Sequence, residues 1–183
     1  MNPRLIPVAL IFVALVAGAC SSNSSSTTST TTSPSTTVAP SSTTTTVAKL
    51  AGCTTKSLAT TVGQAQGAAG HNYIPIVFQN IGSTPCTLGG FPGVALTNSA
   101  GQQVIQAVRT SAVPTTITLA AQGFGSALLT ATDVPSGNET TCPTYAGALV
   151  TPPNDTSSQA LTVQVPGCST PTIGVVVPGS AGQ

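Results

Sequence analysis

The chain has 183 residues, with three acids, four bases and one histidine, a formal charge of +1, and no tryptophan. So few charges exclude the functions that work through them. Nucleic-acid binding needs several Lys and Arg neutralising phosphates, and electrostatic docking on anionic lipid needs a polybasic patch. The surface has to be wetted instead by Thr, Ser, Gln and Asn.

The first segment reads as a secretory leader. Residues 2–7 carry one positive charge, Arg4, and residues 8–16 form an apolar run that ends in Ala17-Gly18-Ala19-Cys20. A positive start, a short apolar stretch and small residues before a cut form a signal peptide over residues 1–19. The run is shorter than the roughly twenty residues that a membrane span requires. Small residues ending in cysteine resemble a lipobox, so Cys20 is expected to carry a thioether-linked diacylglycerol as the first residue of the mature chain. Two acyl chains make a stable anchor. Residues 20–48 then form a tether: about three-quarters Ser and Thr over 21–48, with Pro34 and Pro40 and no charge. No apolar periodicity is present there to offset the entropy of ordering. As a coil the tether reaches about 30 Å, and stretched it approaches roughly 90–100 Å. Thr/Ser tracts with Pro also resemble O-glycosylated stalks. The Asn-x-Ser/Thr sequons at Asn23, Asn138 and Asn154 are read as chance.

Removing Arg4 leaves Lys49, Lys56 and Arg109 against Asp133, Glu139 and Asp155, a formally neutral mature chain. Assigning Cys20 to lipid leaves Cys53, Cys86, Cys142 and Cys168, an even count that in an oxidising compartment implies two disulfides. Three connectivities are open, and nearest-in-chain pairing, Cys53–Cys86 and Cys142–Cys168, is the expected one. No Cys-x-x-Cys spacing supports a zinc or redox centre.

From Cys53 onward, short apolar or alternating runs are separated by turn residues. Residues 73–79 form a β-branched and aromatic run that stops at Asn80-Ile81-Gly82. Pro75 within it predicts an edge strand or a bulge, where its missing N–H faces no ladder partner. Residues 93–97 and 103–108 predict a hairpin across Asn98-Ser99-Ala100-Gly101. Residues 115–119 alternate, with Ile117 and Leu119 on one face. Residues 125–131, 146–150, 160–165 and 172–177 complete the set. Regular short strands with Gly/Pro/Asn turns predict an all-β sandwich or barrel over residues 49–178, and residues 179–183 are expected to fray.

The chemistry-bearing residues are few. A catalytic triad would have to use His71 with Asp133, Glu139 or Asp155, and no Gly-x-Ser-x-Gly elbow accompanies them. All three acids fall in turn-like segments, and His71 sits between a Gly-rich turn and a strand, where a structural hydrogen bond suffices. Asn154-Asp155 offers too few oxygen donors for calcium. No catalytic, metal or cofactor motif is present, and the chain is not expected to be an enzyme.

Pro85-Cys86-Thr87-Leu88-Gly89-Gly90-Phe91-Pro92-Gly93-Val94 carries the strongest resemblance. The stretch is similar to the hallmark of the DUF4232 family of exported actinobacterial, mycobacterial-type lipoproteins. Phe91 stands where Tyr is common. Cys53, Gly67–Gly70 before His71, Phe78-Gln79-Asn80-Ile81-Gly82, Leu119 to Gly123, Cys142 and residues 149–153 agree in order, with Gln79 where Thr is common. The resemblance implies an immunoglobulin-like antiparallel β-sandwich on a lipoprotein, and no activity. Pro92-Gly93 suits a tight turn with Phe91 packed beneath it against the cystine, a stapled corner that starts a strand. A loop that contacts ligand is the other reading of the same motif. The resulting expectation is a monomer on the extracytoplasmic face of the membrane, held by lipid on Cys20 and serving as a binding or adaptor module for an envelope protein or glycan. The alternatives are a passive structural surface lipoprotein and an envelope hydrolase, the last requiring His71 and a carboxylate to converge in a pocket.

Overall fold

The computed structural model describes residues 49–138 and 140–183. The expected signal peptide, the expected lipidation site Cys20 and the expected tether therefore lie outside the described residues, as does Glu139. One 3-10 turn, Thr55–Ser57, leads into β1 (Leu58–Val62), β2 (Gln66–Ala68) and β3 (His71–Asn80). Next come β4 (Cys86–Gly89), β5 (Gly93–Thr97), β6 (Gln103–Gln106), β7 (Val108–Arg109) and β8 (Thr116–Leu119). The second half contributes β9 (Phe124–Thr132), β10 (Thr144–Thr151), β11 (Gln159–Pro166), β12 (Thr172–Ile173) and β13 (Val177–Pro178).

The strands make two main sheets and a ribbon. The first sheet runs β1-β3-β9-β12-β7, with β2 also beside β3 and β13 also beside β9. The second runs β11-β10-β5-β6, and β4 pairs with β8. Alternate residues point to opposite faces of a strand. Ile74, Ile76 and Phe78 of β3, with Ala127, Leu129 and Ala131 of β9, accordingly share one buried cluster with Val94 and Leu96 of β5 and Ala148 and Val150 of β10. Each fully buried Ile, Leu, Val or Phe contributes roughly 1.5–3 kcal/mol. The arrangement is sandwich-like, and Phe78 is the largest side chain fully buried in it.

Two disulfides staple this light core, in the expected pairing: Cys53–Cys86 and Cys142–Cys168, with Cα separations of 5.0 and 4.7 Å. The first ties the N-terminal segment to the ribbon, where the Cys53 N–H donates to the Thr87 carbonyl at 2.8 Å. The second links the approach to β10 with the exit from β11. Gln159 closes the neighbouring edge. Its Nε2 donates to the carbonyls of Thr55 and Leu58 (3.0 and 2.9 Å), and its Oε1 accepts from the Thr60 N–H at 3.0 Å.

Several sequence expectations are corrected. The sheets are mixed rather than purely antiparallel, because β12 and β7 pair in parallel. Residues 103–108, expected as one strand, divide at Ala107. Its N–H donates to the Val94 carbonyl at 2.8 Å and its side chain is buried. The chain thus leaves the edge of the second sheet and joins the first as β7. Residues 172–177 also divide, into β12 and β13, which meet β9 on either side of Gly174. Pro75 lies in an interior strand, not an edge one. It faces the break where β1 ends and β2 has not begun: its carbonyl accepts from the Gly63 N–H at 2.8 Å, and no return bond is needed from its own nitrogen.

The C-terminal segment expected to fray is hydrogen-bonded. The Gly179 N–H donates to the Phe124 carbonyl (3.0 Å), and the Gly182 N–H donates to Ser126 Oγ (2.8 Å), which donates to the Gly179 carbonyl (2.8 Å). Ser126 is fully buried although it points away from the core, because this segment covers the outer side of β9. Strands β1, β2 and β4 and the 3-10 turn lacked a clear apolar pattern. Residues 66–68 are all exposed, so no burial imprinted a period on them.

Candidate functional site

His71 begins β3 opposite Thr132 of β9. Its Nδ1 lies 3.4 Å from Thr132 Oγ1, which accepts a hydrogen bond from Ser169 Oγ at 2.8 Å. The Tyr73 ring is tilted beside it, centroids 6.2 Å apart. Asp133 follows Thr132, but its carboxylate accepts from the Asn72 amide at 2.7 Å. Asp155 lies in the β10–β11 loop and turns toward the first 3-10 turn. It accepts from the Thr55 N–H (2.6 Å) and hydroxyl (2.8 Å) and from the N–H groups of Thr156 (2.6 Å) and Ser157 (3.2 Å). These donors, led by the Thr55 N–H, stabilise the anion and hold the Asp155 carboxyl far below the usual carboxylate range. No hydrogen bond or ion pair joins His71 to Asp133 or Asp155 among the described residues. Nor do those residues contain a group of three or more His, Cys, Asp or Glu able to hold a metal.

The functional geometry lies elsewhere, on the Cys86–Val94 stretch. Strand β4 ends at Gly89 against β8 so closely that a Cβ there would stand 2.8 Å from the Thr115 carbonyl oxygen and 2.9 Å from Thr116 Cα. Gly90 turns the chain with φ +96°, in the left-handed region that glycine enters without strain. Its N–H donates to the Thr115 carbonyl at 3.1 Å and its carbonyl accepts from Val176 at 2.9 Å. Phe91 then projects half-buried, Pro92 is buried, and Gly93 starts β5.

The turn of this corner falls at Gly90 rather than at the expected Pro92-Gly93, because Gly90 takes the left-handed φ and Gly93 already belongs to β5. The half-buried Phe91 helps to form one wall of an open cleft of about 320 Å³. Gly89, Gly90 and Phe91 supply that wall. Thr115 of the β7–β8 connection and Thr116 at the start of β8 join them in the lining, as does Asn154 of the β10–β11 loop. Asn154 has φ 61° and its Nδ2 donates to the Gly89 carbonyl at 3.2 Å, which ties loop to wall. Arg109, at the end of β7, places its guanidinium carbon 5.8 Å from the centroid of the Phe91 ring. That is a cation–π contact near the outer limit of its range. Among the described residues the Arg109 side chain makes no ion pair. The nearest acid in sequence to the cleft, Asp155, is occupied by Thr55, Thr156 and Ser157.

Sequence reasoning singled out Phe91, weighed Asn154 only as a sequon and a weak calcium donor, and passed over Arg109, Thr115 and Thr116 as site residues. The one available signal was that Arg109 is the sole arginine left once the leader is set aside. A depression of about 420 Å³ on the second sheet, near Gly147 and Leu161, has neither a cation nor an aromatic ring. A third beside Tyr73 and Leu128 has an aromatic ring but no cation, whereas the Arg109 cleft combines the two.

A family model described as "Domain of unknown function (DUF4232)" matches residues 53–178, from the first core cysteine to the end of β13. Comparison with curated proteins finds no match, and comparison with solved structures finds none.

Proposed function

The chain belongs to the DUF4232 family, and on that premise we propose that it is a lipid-anchored envelope protein whose folded domain is a non-catalytic binding module. One observation carries the reading. The Cys86–Val94 stretch, which carries the resemblance to the family in sequence, builds the wall of a cleft in which an arginine free of ion pairs among the described residues lies over an aromatic ring. Val113, 79 % exposed, directly precedes Pro114 of the cleft lining in sequence. Attachment rests on the leader and on Cys20, and the Ser/Thr tether supports a module that searches a volume around its anchor. Membership of the family also supports an immunoglobulin-like reading of the sandwich, a fold that carries its binding loops at the ends of the sheets. The chain would then work as a monomer on the extracytoplasmic face, with an envelope component as partner.

The test is in-cell photo-crosslinking from position 113 of the full-length chain, with Cys20→Ala as the unanchored control. The expected result is one saturable partner, lost in the control. Capture of abundant envelope components in proportion to their abundance would overturn the binding reading in favour of a passive surface protein.

A further inference from the structure

We propose that the Arg109 cleft recognises the carboxylate of an acidic saccharide, a uronate-type unit, with Arg109 as the charged anchor; the inference rests on the reading of the cleft as a binding site. Arginine's planar fork matches a carboxylate with two parallel N–H···O bonds. Free arginine side chains lose much rotamer freedom when they bind, which weakens the net gain. Here the guanidinium carbon stands 5.8 Å from the Phe91 ring centroid, a cation–π contact that favours this placement of the group before ligand arrives. The ring donates no hydrogen bond and accepts none of the conventional kind, so the guanidinium N–H groups stay available to an acceptor. Asp155 does not compete, since its oxygens are taken by Thr55, Thr156 and Ser157.

The lining favours a sugar over a peptide. Around Arg109 stand the hydroxyls of Thr115 and Thr116, the Asn154 amide and the glycine backbone at 89–90. These are donors and acceptors suited to ring hydroxyls. The apolar lining consists of the Phe91 ring and the Pro114 and Pro153 rings, which offer flat surface to the C–H face of a sugar and no deep apolar pocket for a peptide side chain. A carboxylate also fits better than a phosphate, because Arg109 is the single cation lining the cleft. At about 320 Å³ the cleft lies at the small end for ligand sites, and its open form suits a unit within a longer chain.

The test titrates the full-length chain in detergent micelles with trigalacturonate, with its methyl ester, which keeps the shape and removes the charge, and with the peptide Gly-Glu-Gly. The readouts are the NMR amide signals of Gly89, Gly90, Thr115 and Thr116 and the Nε–H signal of Arg109. Saturable shifts confined to these signals are expected with trigalacturonate. Affinity is expected to fall about tenfold or more for the methyl ester and for Arg109→Gln, with Arg109→Lys in between. Arg109 is exposed, so the remaining spectrum should show both variants folded. No saturable shift, shifts elsewhere, equal affinity in Arg109→Gln, or tighter binding of the peptide would each overturn the inference. Crosslinking from position 113 separates the two levels. A saturable partner lost in Arg109→Gln, with no response to trigalacturonate, sinks the saccharide assignment alone, whereas failure of both sinks the binding reading as well.

Discussion

Asn80 shows how one polar side chain can organise two turns. It is 1 % exposed, and its Nδ2 faces the carbonyls of Thr84, Leu119 and Ala120 at 2.9, 3.2 and 3.1 Å, while Oδ1 accepts from the Gly82 N–H at 3.0 Å. Two N–H bonds serve three carbonyls, so one is shared. Asn80→Ala leaves those buried groups unsatisfied and is expected to cost about 2–4 kcal/mol, read as a lower denaturant midpoint at unchanged slope. Asp155 acts at the surface through the same kind of bond. Its carboxyl titrates lower folded than unfolded, so its contribution is complete above the ordinary value of 3.8 and shrinks as pH falls below that. Wild type is expected to melt higher than Asp155→Asn at neutral pH, with the gap closing on acidification; calorimetry across that range checks it. A gap that stayed constant would mean that the carboxylate's charge is not what binds Thr55.

At the level of elements, the two adjacent glycines of the β4 exit serve different needs. A methyl group on Gly89 would meet the backbone of Thr115 and Thr116, whereas at Gly90 there is open space but a φ of +96°. Gly89→Ala should push β8 away from β4, costing roughly 1–3 kcal/mol and disturbing the amides of Thr115 and Thr116. Gly90→Ala should cost about 1–2 kcal/mol through backbone strain with β8 left in place. Unfolding curves with amide spectra distinguish the two. The C-terminal segment is an element in its own right. Truncation after Pro178 uncovers Ser126 and Leu128, and increased hydrogen exchange is expected in β9 at those residues. Unchanged exchange there would show that the segment is not the cover that its bonds to Ser126 indicate. None of these contacts has a local pattern, since a tail rich in Gly, Ser and Ala carries no period to read.

For the whole molecule, the cystines compensate for a core poor in aromatic residues. They close loops with sequence separations of 33 and 26 residues. Replacing either pair by alanines is expected to cost about 3–4 kcal/mol in the chain-entropy model, checked by denaturant unfolding of each double variant. The all-β class was legible because strands such as residues 73–79 are short β-branched and aromatic runs, buried without interruption from Ile74 to Phe78, and turn residues such as Asn98 end them: its Oδ1 accepts from Ala100 and Gln102, each at 3.0 Å. The count of cysteines and the family motif at Cys86–Val94 were legible for a similar reason, because composition and local backbone chemistry lie along the chain. Sheet membership was not. Whether residues 103–109 form one strand or two depends on the buried Ala107 N–H meeting the Val94 carbonyl, a contact that local sequence does not encode. The cleft belongs to the same category. Arg109, Phe91, Thr115 and Asn154 come from four separate stretches, and each by itself reads as an ordinary turn or strand-end residue. The sequence by itself determined the strand-rich class, the pool of cysteines and the family, because those follow from local period, composition and a contiguous motif. The pairing of strands, the covering tail and the placement of a cation over a ring were decided only by tertiary structure, because they depend on long-range approaches that local propensity does not contain.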